Sequence, residues 1–254
     1  MGSAMLAGIL NAGLVPAENI IVAEPGEARR AFLEAEYGVR CVADANEAPV
    51  PDTCLLAVKP QMMREVLGNL TAGREFSPKR VISIAAGITT KLLASYFADT
   101  NIIRVMPNTP LIVGCGMVAV SPGEGTPAEE AELACSLFSC MGDAIVIDES
   151  LQDSVVALSG SGPAYFALFV QELANAGVEL GLDPDVALKL SLKTMSGTSA
   201  LLEQTGQTPE ELIEAVSSPG GTTIAALDAM REGGVAQAII EGAKAASRRS
   251  KELS

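Results

Sequence analysis

The residues best suited to chemistry lie in one short loop, Ser217-Ser218-Pro219-Gly220-Gly221-Thr222-Thr223, between two stretches of helical periodicity. The glycines leave successive backbone N–H groups free of side-chain bulk, and the following helix directs its partial positive end to the same place. Such a place suits a carboxylate. The hydroxyls of Thr222 and Thr223 donate as well as accept, so a group beside the carboxylate would also receive a hydrogen bond. Taken alone, the loop is also explained as a Gly-rich turn before a helix, with no ligand.

Composition excludes several classes of function. The 254 residues include no histidine, which rules out histidine bases, histidine triads and histidine-ligated zinc, and we expect no metal. The formal net charge is −14, whereas a nucleic-acid or anionic-membrane partner requires clustered Lys and Arg. An anionic ligand must therefore be held by local donors.

Cysteine usage and apolar run lengths indicate where the protein works. The five cysteines contain no CxxC pair, so we expect buried free thiols in a reducing compartment, the cytoplasm. The longest apolar runs, such as 111–120, are shorter than the ~20 residues of a membrane span. We therefore expect no membrane partner.

The first part of the chain alternates strand-like and helix-like segments. This order is typical of an α/β fold, a Rossmann-like doubly wound and mostly parallel sheet, and it predicts a dinucleotide-binding domain over 1–148. The predicted strands cover 20–23, 39–42, 54–58, 81–84, 102–106, 117–120 and 144–147. The predicted helices cover 2–11, 26–37, 61–70, 89–97 and 127–140.

The remainder, 149–254, has only helical periodicity and predicts a second, all-α domain. Its predicted helices cover 152–158, 163–180, 184–204, 209–216, 222–231 and 235–252.

The chain begins inside the first helix of the predicted sheet domain. In a dinucleotide-binding sheet, a central strand and a G-x-G-x-x-G turn precede that helix. We therefore expect that the sequence lacks roughly ten residues, one strand and its turn. Met1 and Gly2 would be the end of the fingerprint.

Four segments in this order resemble pyrroline-5-carboxylate reductases. They are Ala57-Val58-Lys59-Pro60-Gln61, Arg104-Val105-Met106-Pro107-Asn108-Thr109-Pro110, Leu158-Ser159-Gly160-Ser161-Gly162-Pro163-Ala164-Tyr165 and the loop described above. The resemblance covers essentially the whole chain. It implies reduction of L-1-pyrroline-5-carboxylate to L-proline with NADPH or NADH, the last step of proline biosynthesis. It also implies that the helical domain forms a homodimer, which assembles further in some members.

The resemblance assigns roles to the loop. It implies that Thr223 is the catalytic group that hydrogen-bonds the ring nitrogen of the substrate. The substrate carboxylate would be bound by Ser218 and by the backbone of Gly220, Gly221 and Thr222.

The resemblance also places the cofactor. Lys59 would neutralise phosphate, although a surface lysine before a helix-starting proline is an alternative. The small residues after the fourth predicted strand would let the nicotinamide approach the backbone. The predicted cofactor-binding residues are Met1, Gly2, Glu24, Asn46, Ala57, Val58, Lys59, Pro60, Ala85, Ala86, Gly87 and Asn108.

The choice between NADH and NADPH stays open. Glu24 follows the first predicted strand, where a carboxylate accepts hydrogen bonds from a ribose 2′-hydroxyl and repels a 2′-phosphate. Arg29 and Arg30 lie one helical turn further on and would bind such a phosphate.

Two other functions remain open. One is another imine or β-hydroxyacid reductase, with Lys189 or Lys193 as its lysine. The other is a non-catalytic dinucleotide-binding sensor. The segment from Ser159 to Tyr165 is explained equally well by exposed backbone for a ligand and by a tight helix crossing.

Overall fold

The computed structural model describes residues 1–72 and 75–253. Contacts divide the chain into two compact units, Met1–Ser161 with Ala246–Ser254, and Gly162–Ala245. The domain limits of 1–148 and 149–254 rest on a change of periodicity, a different criterion from contact, and they stay predictions.

The first unit contains two sheets. β1 and β2 pair in parallel, and the second sheet has the order β3-β4-β5-β6-β7. Only the β5–β6 pair of that sheet is antiparallel. The predicted α/β class and mostly parallel sheet are therefore confirmed. The strands are β1 (Ile21–Ala23), β2 (Arg40–Val42), β3 (Thr53–Leu56), β4 (Arg80–Ser83), β5 (Asn101–Met106), β6 (Gly116–Pro122) and β7 (Gly142–Val146).

The helices of this unit follow the predicted positions. They are α1 (Gly2–Asn11), α2 (Glu27–Tyr37), α3 (Met63–Thr71), α4 (Thr90–Ala94), α5 (Ala128–Phe138) and α6 (Gln152–Val155). The helix predicted over 152–158 differs, because after α6 the chain widens into a π-helical turn at Val156–Gly160. The amide of Ser161 closes this turn on the carbonyl of Val156, five residues back, at 2.8 Å.

Apolar side chains cover both faces of the five-stranded sheet. Ile82 and Ile103 are opposite each other and pack with α1 and α5 through Met5 and Phe138. The alternate residues of the same strands point to the other face and pack with α3 and α4. The burial on both faces explains why these strands read as continuous apolar runs.

A buried polar group interrupts the second face near the carboxyl ends of the strands. Ser83, Arg104 and Ser121 lie opposite one another on β4, β5 and β6, and each is buried. Arg104 donates to the carboxylate of Glu149 at 3.2 Å, and the same carboxylate accepts from the amide and hydroxyl of Thr90. This network joins the sheet to the start of α4 and to the segment that leads into α6.

The second unit is helical. It contains α7 (Gly162–Glu179), α8 (Pro184–Thr205), α9 (Pro209–Ala215), α10 (Thr222–Glu232) and most of α11 (Val235–Leu253). Caps set two of the starts: Asp183 accepts from the first-turn amides of α8, and Thr208 forms a capping box with Glu211 at α9. The all-helical prediction for this part is confirmed.

Many apolar side chains of the second unit are exposed in the single chain. They include Phe166, Leu168, Phe169, Leu188, Leu192, Leu201, Ile239 and Ile240. The helical stretch Glu149–Glu179 is also long and apolar enough, by length and composition, to cross a membrane, and 17% of its most apolar window is buried. Exposed apolar surface of this extent marks an interaction face.

Arg80 and Glu130 form a half-buried ion pair that joins β4 to α5. Two donors of the guanidinium contact the carboxylate, and a third contacts Thr53 on β3 at 2.9 Å. The hydrogen bond from Arg80 lowers the pKa of Glu130 below its usual value. The stabilisation is therefore present above the unfolded pKa and is lost as pH falls through the lowered folded pKa.

We expect Glu130→Gln to lower the free energy of unfolding by about 1–3 kcal/mol at pH 7, and the gap from the parent protein to narrow towards pH 3. Urea denaturation at one protein concentration measures both. Glu129→Gln is the matched control, because Glu129 also lies in the first turn of α5 but is exposed. Equal losses for the two variants would show that Arg80 contributes nothing.

Candidate functional site

A cleft of about 350 Å³ lies where three parallel strands of the first unit end. β3, β4 and β5 present the residues that directly follow or end each strand, and the start of α1 closes one side. The lining residues are Met1, Gly2, Ala57, Val58, Lys59, Pro60, Ile84, Ala85, Ala86, Met106 and Pro107. This is the edge at which open α/β sheets bind ligands.

Small residues keep this cleft open. A β-carbon built at Gly2 would lie 3.0 Å from the β-carbon of Ala57. The start of α1 and the end of β3 therefore approach so closely that there is little room for a second methyl group between them. Ala85 is buried beneath the turn after β4, where Gly87 has a positive φ of 75°. The resulting bare backbone fits a flat ring or a pyrophosphate, and the residues present therefore fit a dinucleotide.

Lys59 supplies a cation at the cleft. Its side chain is exposed, and within residues 1–72 and 75–253 it forms no ion pair. No side chain of the described residues caps the amino end of α1, where Met1 and Gly2 line the same cleft. An uncapped helix start and an unpaired lysine together suit a phosphate group.

Eight of the twelve predicted cofactor residues line this cleft, and the other four do not. Gly87 follows the lining residue Ala86. The side-chain oxygen of Asn108 accepts from the backbone amide of Met117 at 2.9 Å, and the side-chain amide of Asn46 donates to the carbonyl of Asn69 at 3.2 Å. The roles assigned to these residues stay predictions.

Ile84, Met106 and Pro107 line the cleft but were absent from the predicted set. Their position at the carboxyl end of a parallel strand, or directly after it, was the signal that would have found them.

The residues that bear on the choice of cofactor all have partners. Glu24, the fourth predicted residue outside the cleft, accepts from the amide of Gly26 at 2.9 Å. Arg30 donates to the carbonyls of Glu24 and Pro25, at 2.9 and 2.8 Å.

Arg29 contacts the hydroxyl of Ser3 and lies 4.8 Å from the ring centre of Phe32. Arg30 is thus engaged with the backbone, whereas Arg29 lies beside the start of α1.

The predicted substrate loop lies in the second unit and forms a tight turn before α10. Gly220 has a positive φ of 71°, and a β-carbon at Gly221 would lie 2.5 Å from the hydroxyl oxygen of Ser218. Both glycines are therefore required by geometry. The amide of Gly221 donates to the carbonyl of Ser218 at 2.9 Å. This amide therefore stabilises the turn and is not a free donor for a ligand.

The backbone N–H groups at the amino end of α10 are the donors of this loop that a ligand can use. Among the residues that the structure describes, no side chain caps the helix. Thr222 is exposed and Thr223 half-buried, so both hydroxyls are near solvent. The hydroxyl oxygen of Ser217 is buried and has no hydrogen-bond partner in the described part of the chain. Buried polar atoms are nearly always satisfied, so this one indicates a ligand, a water or a partner chain.

All five cysteines are free, and burial raises the pKa of Cys54 to about 12, which keeps that thiol protonated at neutral pH. The prediction of buried thiols is wrong for Cys115, which is exposed because it follows Gly114 in a surface turn, and the other four cysteines are half-buried. Among the described residues, no three His, Cys, Asp or Glu side chains are grouped to hold a metal ion.

Two family models match the chain. Residues 149–253 match the family described as pyrroline-5-carboxylate reductase dimerisation, and residues 1–87 match NADP oxidoreductase, coenzyme F420-dependent.

Full-length relatives have the same relationship. The chain is 42% identical over 254 residues to a pyrroline-5-carboxylate reductase of Synechocystis, covering 100% of this chain and 94% of the relative. It is 36% identical over 256 residues to that of Escherichia coli K12, covering 100% and 95%.

Solved structures agree. A pyrroline-5-carboxylate reductase from Coxiella burnetii superposes with a TM-score of 0.91 at 31% identity, covering 100% of this chain and 94% of the other. The pyrroline carboxylate reductase of Plasmodium falciparum, solved with NADP bound, has a TM-score of 0.86 at 28% identity with the same coverage.

We expect Lys59→Ala to weaken NADPH binding about 3- to 10-fold, because an exposed charge-assisted contact to phosphate is lost. The chain contains no tryptophan, so the emission of the cofactor itself can be followed without interference. The variant should also show a smaller loss of affinity on adding salt than the parent protein.

Lys91→Ala is the control for this experiment. Lys91 is likewise exposed, but it lies on α4 and outside the cleft lining. An unchanged dissociation constant in Lys59→Ala, or an equal loss in Lys91→Ala, would remove Lys59 from the cofactor site.

Proposed function

The chain belongs to the pyrroline-5-carboxylate reductase family, and on that premise we propose which of its residues carry out the reaction. The protein reduces L-1-pyrroline-5-carboxylate to L-proline, the last step of proline biosynthesis, with NADPH or NADH as the hydride source. The observation that carries our assignment of the substrate site is the uncapped amino end of α10 behind a turn that only glycine can form.

We assign the substrate carboxylate to the loop before α10. The amides of the first turn of that helix have no side-chain cap and point along the positive end of its dipole. Gly220 and Thr222 contribute backbone donors, and Ser218 lies at the turn. Gly221 contributes mainly the turn itself, because its own amide is bonded to Ser218. The chain has no histidine and a net charge of −14, so the electrostatic field of the whole protein repels an anion. A carboxylate is therefore bound by local donors such as these amides.

We assign the ring nitrogen of the substrate to Thr223. A cyclic imine accepts a hydride more readily when its nitrogen is hydrogen-bonded or protonated, because electron density is then drawn away from the imine carbon. A threonine hydroxyl has a high pKa, so Thr223 orients and polarises the nitrogen, which takes its proton from solvent as the hydride arrives at the carbon. No metal or histidine base is needed for this step.

The cleft at the ends of β3, β4 and β5 is our assignment for the cofactor. When bound, the reduced nicotinamide supplies a hydride from its C4 atom to the imine carbon. Lys59 neutralises phosphate charge, and Ala85 and Ala86 leave the backbone accessible to the ring. Orientation by these residues is the main contribution of the first unit, since the hydride chemistry belongs to the cofactor.

The exposed apolar side chains of α7 and α8 fit subunit association. The family model for dimerisation matches 149–253, which contains both helices, and the protein is a homodimer through this region. We assign the apolar stretch Glu149–Glu179 to that interface and not to a membrane. We further propose that the dimers assemble into a higher oligomer and that the protein is cytoplasmic, in keeping with its five free cysteines.

We expect Thr223→Ala to lower kcat/KM for L-1-pyrroline-5-carboxylate about 10- to 100-fold, the loss of one good hydrogen bond to a group that gains charge. Steady-state assays of NADPH oxidation, with proline measured as the product, test both the residue and the reaction. Failure to form proline in the parent protein would overturn the substrate.

Thr223→Ser keeps the hydroxyl and serves as the control. It should retain most of the parent kcat/KM, while both variants should bind NADPH as the parent does. Equal losses in the Ala and Ser variants would mean that packing of the γ-methyl group, and not the hydroxyl, is what matters.

A further inference from the structure

Gly160 lies at a close contact with the cofactor cleft. A β-carbon built at Gly160 would lie 3.1 Å from the methyl carbon of Met106. Met106 is the last residue of β5 and one of the residues that line the cleft. Carbon atoms pack at about 3.5–4.0 Å, so a side chain at position 160 would force a displacement of several tenths of an ångström.

The backbone around Gly160 is held firmly. Gln152, at the start of α6, is 1% exposed and donates to the hydroxyl of Ser121 at 2.8 Å. That hydroxyl in turn donates to the carbonyl of Ile147 at 3.0 Å. Asp153 accepts from Ser250 on α11. These bonds fix the segment that leads into the π-helical turn.

The turn itself is also closed. The amide of Ser161 donates to the carbonyl of Val156 at 2.8 Å, and the hydroxyl of Ser159 donates to the carbonyl of Val155 at 3.2 Å. Moving Gly160 away from Met106 would strain these hydrogen bonds.

Of the two residues in this contact, Met106 is the one whose side chain can move. Its side chain is unbranched and flexible, and it is half-buried, whereas its neighbour Val105 is 1% exposed in the core. The unfilled space beside it is the cleft. A displaced Met106 side chain would therefore enter the volume that a ligand needs.

We propose that Gly160 is a positioning residue for the cofactor. Because Gly160 has no side chain, the side chain of Met106, at the end of β5, packs against it and leaves the cleft free. This role explains why the π-helical turn carries a glycine where the chain makes no positive-φ turn. The inference rests on the proposed placement of the cofactor, and it adds a residue that is not part of the cleft lining.

We expect Gly160→Ala to weaken NADPH binding about 3- to 10-fold by overpacking against Met106. KM for NADPH should rise with kcat nearly unchanged, and the oligomeric state and melting temperature should stay those of the parent. Gly68→Ala is the control, because Gly68 lies in α3 and, apart from the backbone of that helix, no atom of the described residues lies within 4 Å of its β-carbon position. It should bind NADPH as the parent does.

A double-mutant cycle isolates the contact. In a Met106→Ala background, Gly160→Ala should no longer weaken NADPH binding, because the methyl group that it displaces is gone. Unchanged binding in Gly160→Ala alone would overturn the proposal. So would a loss of the same size in both backgrounds, because that loss would not pass through Met106.

A measurement on the parent protein keeps the proposal testable if Gly160→Ala does not fold. With ¹³C-methyl methionine, the Met106 resonance, identified among nine methionines by Met106→Leu, should shift on adding NADPH. An unmoved resonance would overturn both this inference and the placement of the cofactor in the cleft. A shifted resonance with normal binding by a folded Gly160→Ala would overturn this inference alone.

Discussion

The parallel pairing of β3, β4 and β5 is the constraint on which the cofactor site depends. Parallel strands end at the same edge of a sheet, so residues far apart in the chain, such as Lys59, Ala85 and Met106, meet at one cleft. Their chemistry is modest: one lysine, several small residues and bare backbone. The arrangement suits a reaction in which the cofactor supplies the hydride and the protein supplies orientation.

A second dependence is the buried polar network behind that edge. Arg104 is almost fully buried, its Nη2 atom has no partner in the described residues, and its ion pair is with Glu149 at the start of the segment that leads out of the sheet. Buried pairs contribute little net stability when compared with apolar packing, but removing one partner is costly. We therefore interpret the network as a feature that specifies one arrangement of the chain and adds little to its stability. It fixes where the chain leaves the sheet, and with Gln152 it fixes the turn that contacts Met106.

The second unit has a different source of stability. Few of its side chains are buried in the single chain, although α7 and α8 approach closely enough that a β-carbon at Gly177 would lie 2.9 Å from that of Ala187. Helices with this much exposed apolar surface are completed by association, and the match of 149–253 to a dimerisation family agrees. We therefore expect the stability of this part to depend on protein concentration.

The sequence by itself determined the α/β class, the order of nearly all elements and the loop before α10, because periodicity, caps and glycines are local signals that need no partner. It also located most of the cleft through segments that resemble a known family. Only the tertiary structure decided that the side chain of Asn108 hydrogen-bonds to β6 and does not line the cleft, since facing directions depend on how strands pair. The contact between Gly160 and Met106 was likewise invisible in the sequence, because it joins residues of β5 to a π-helical turn that no local pattern predicts.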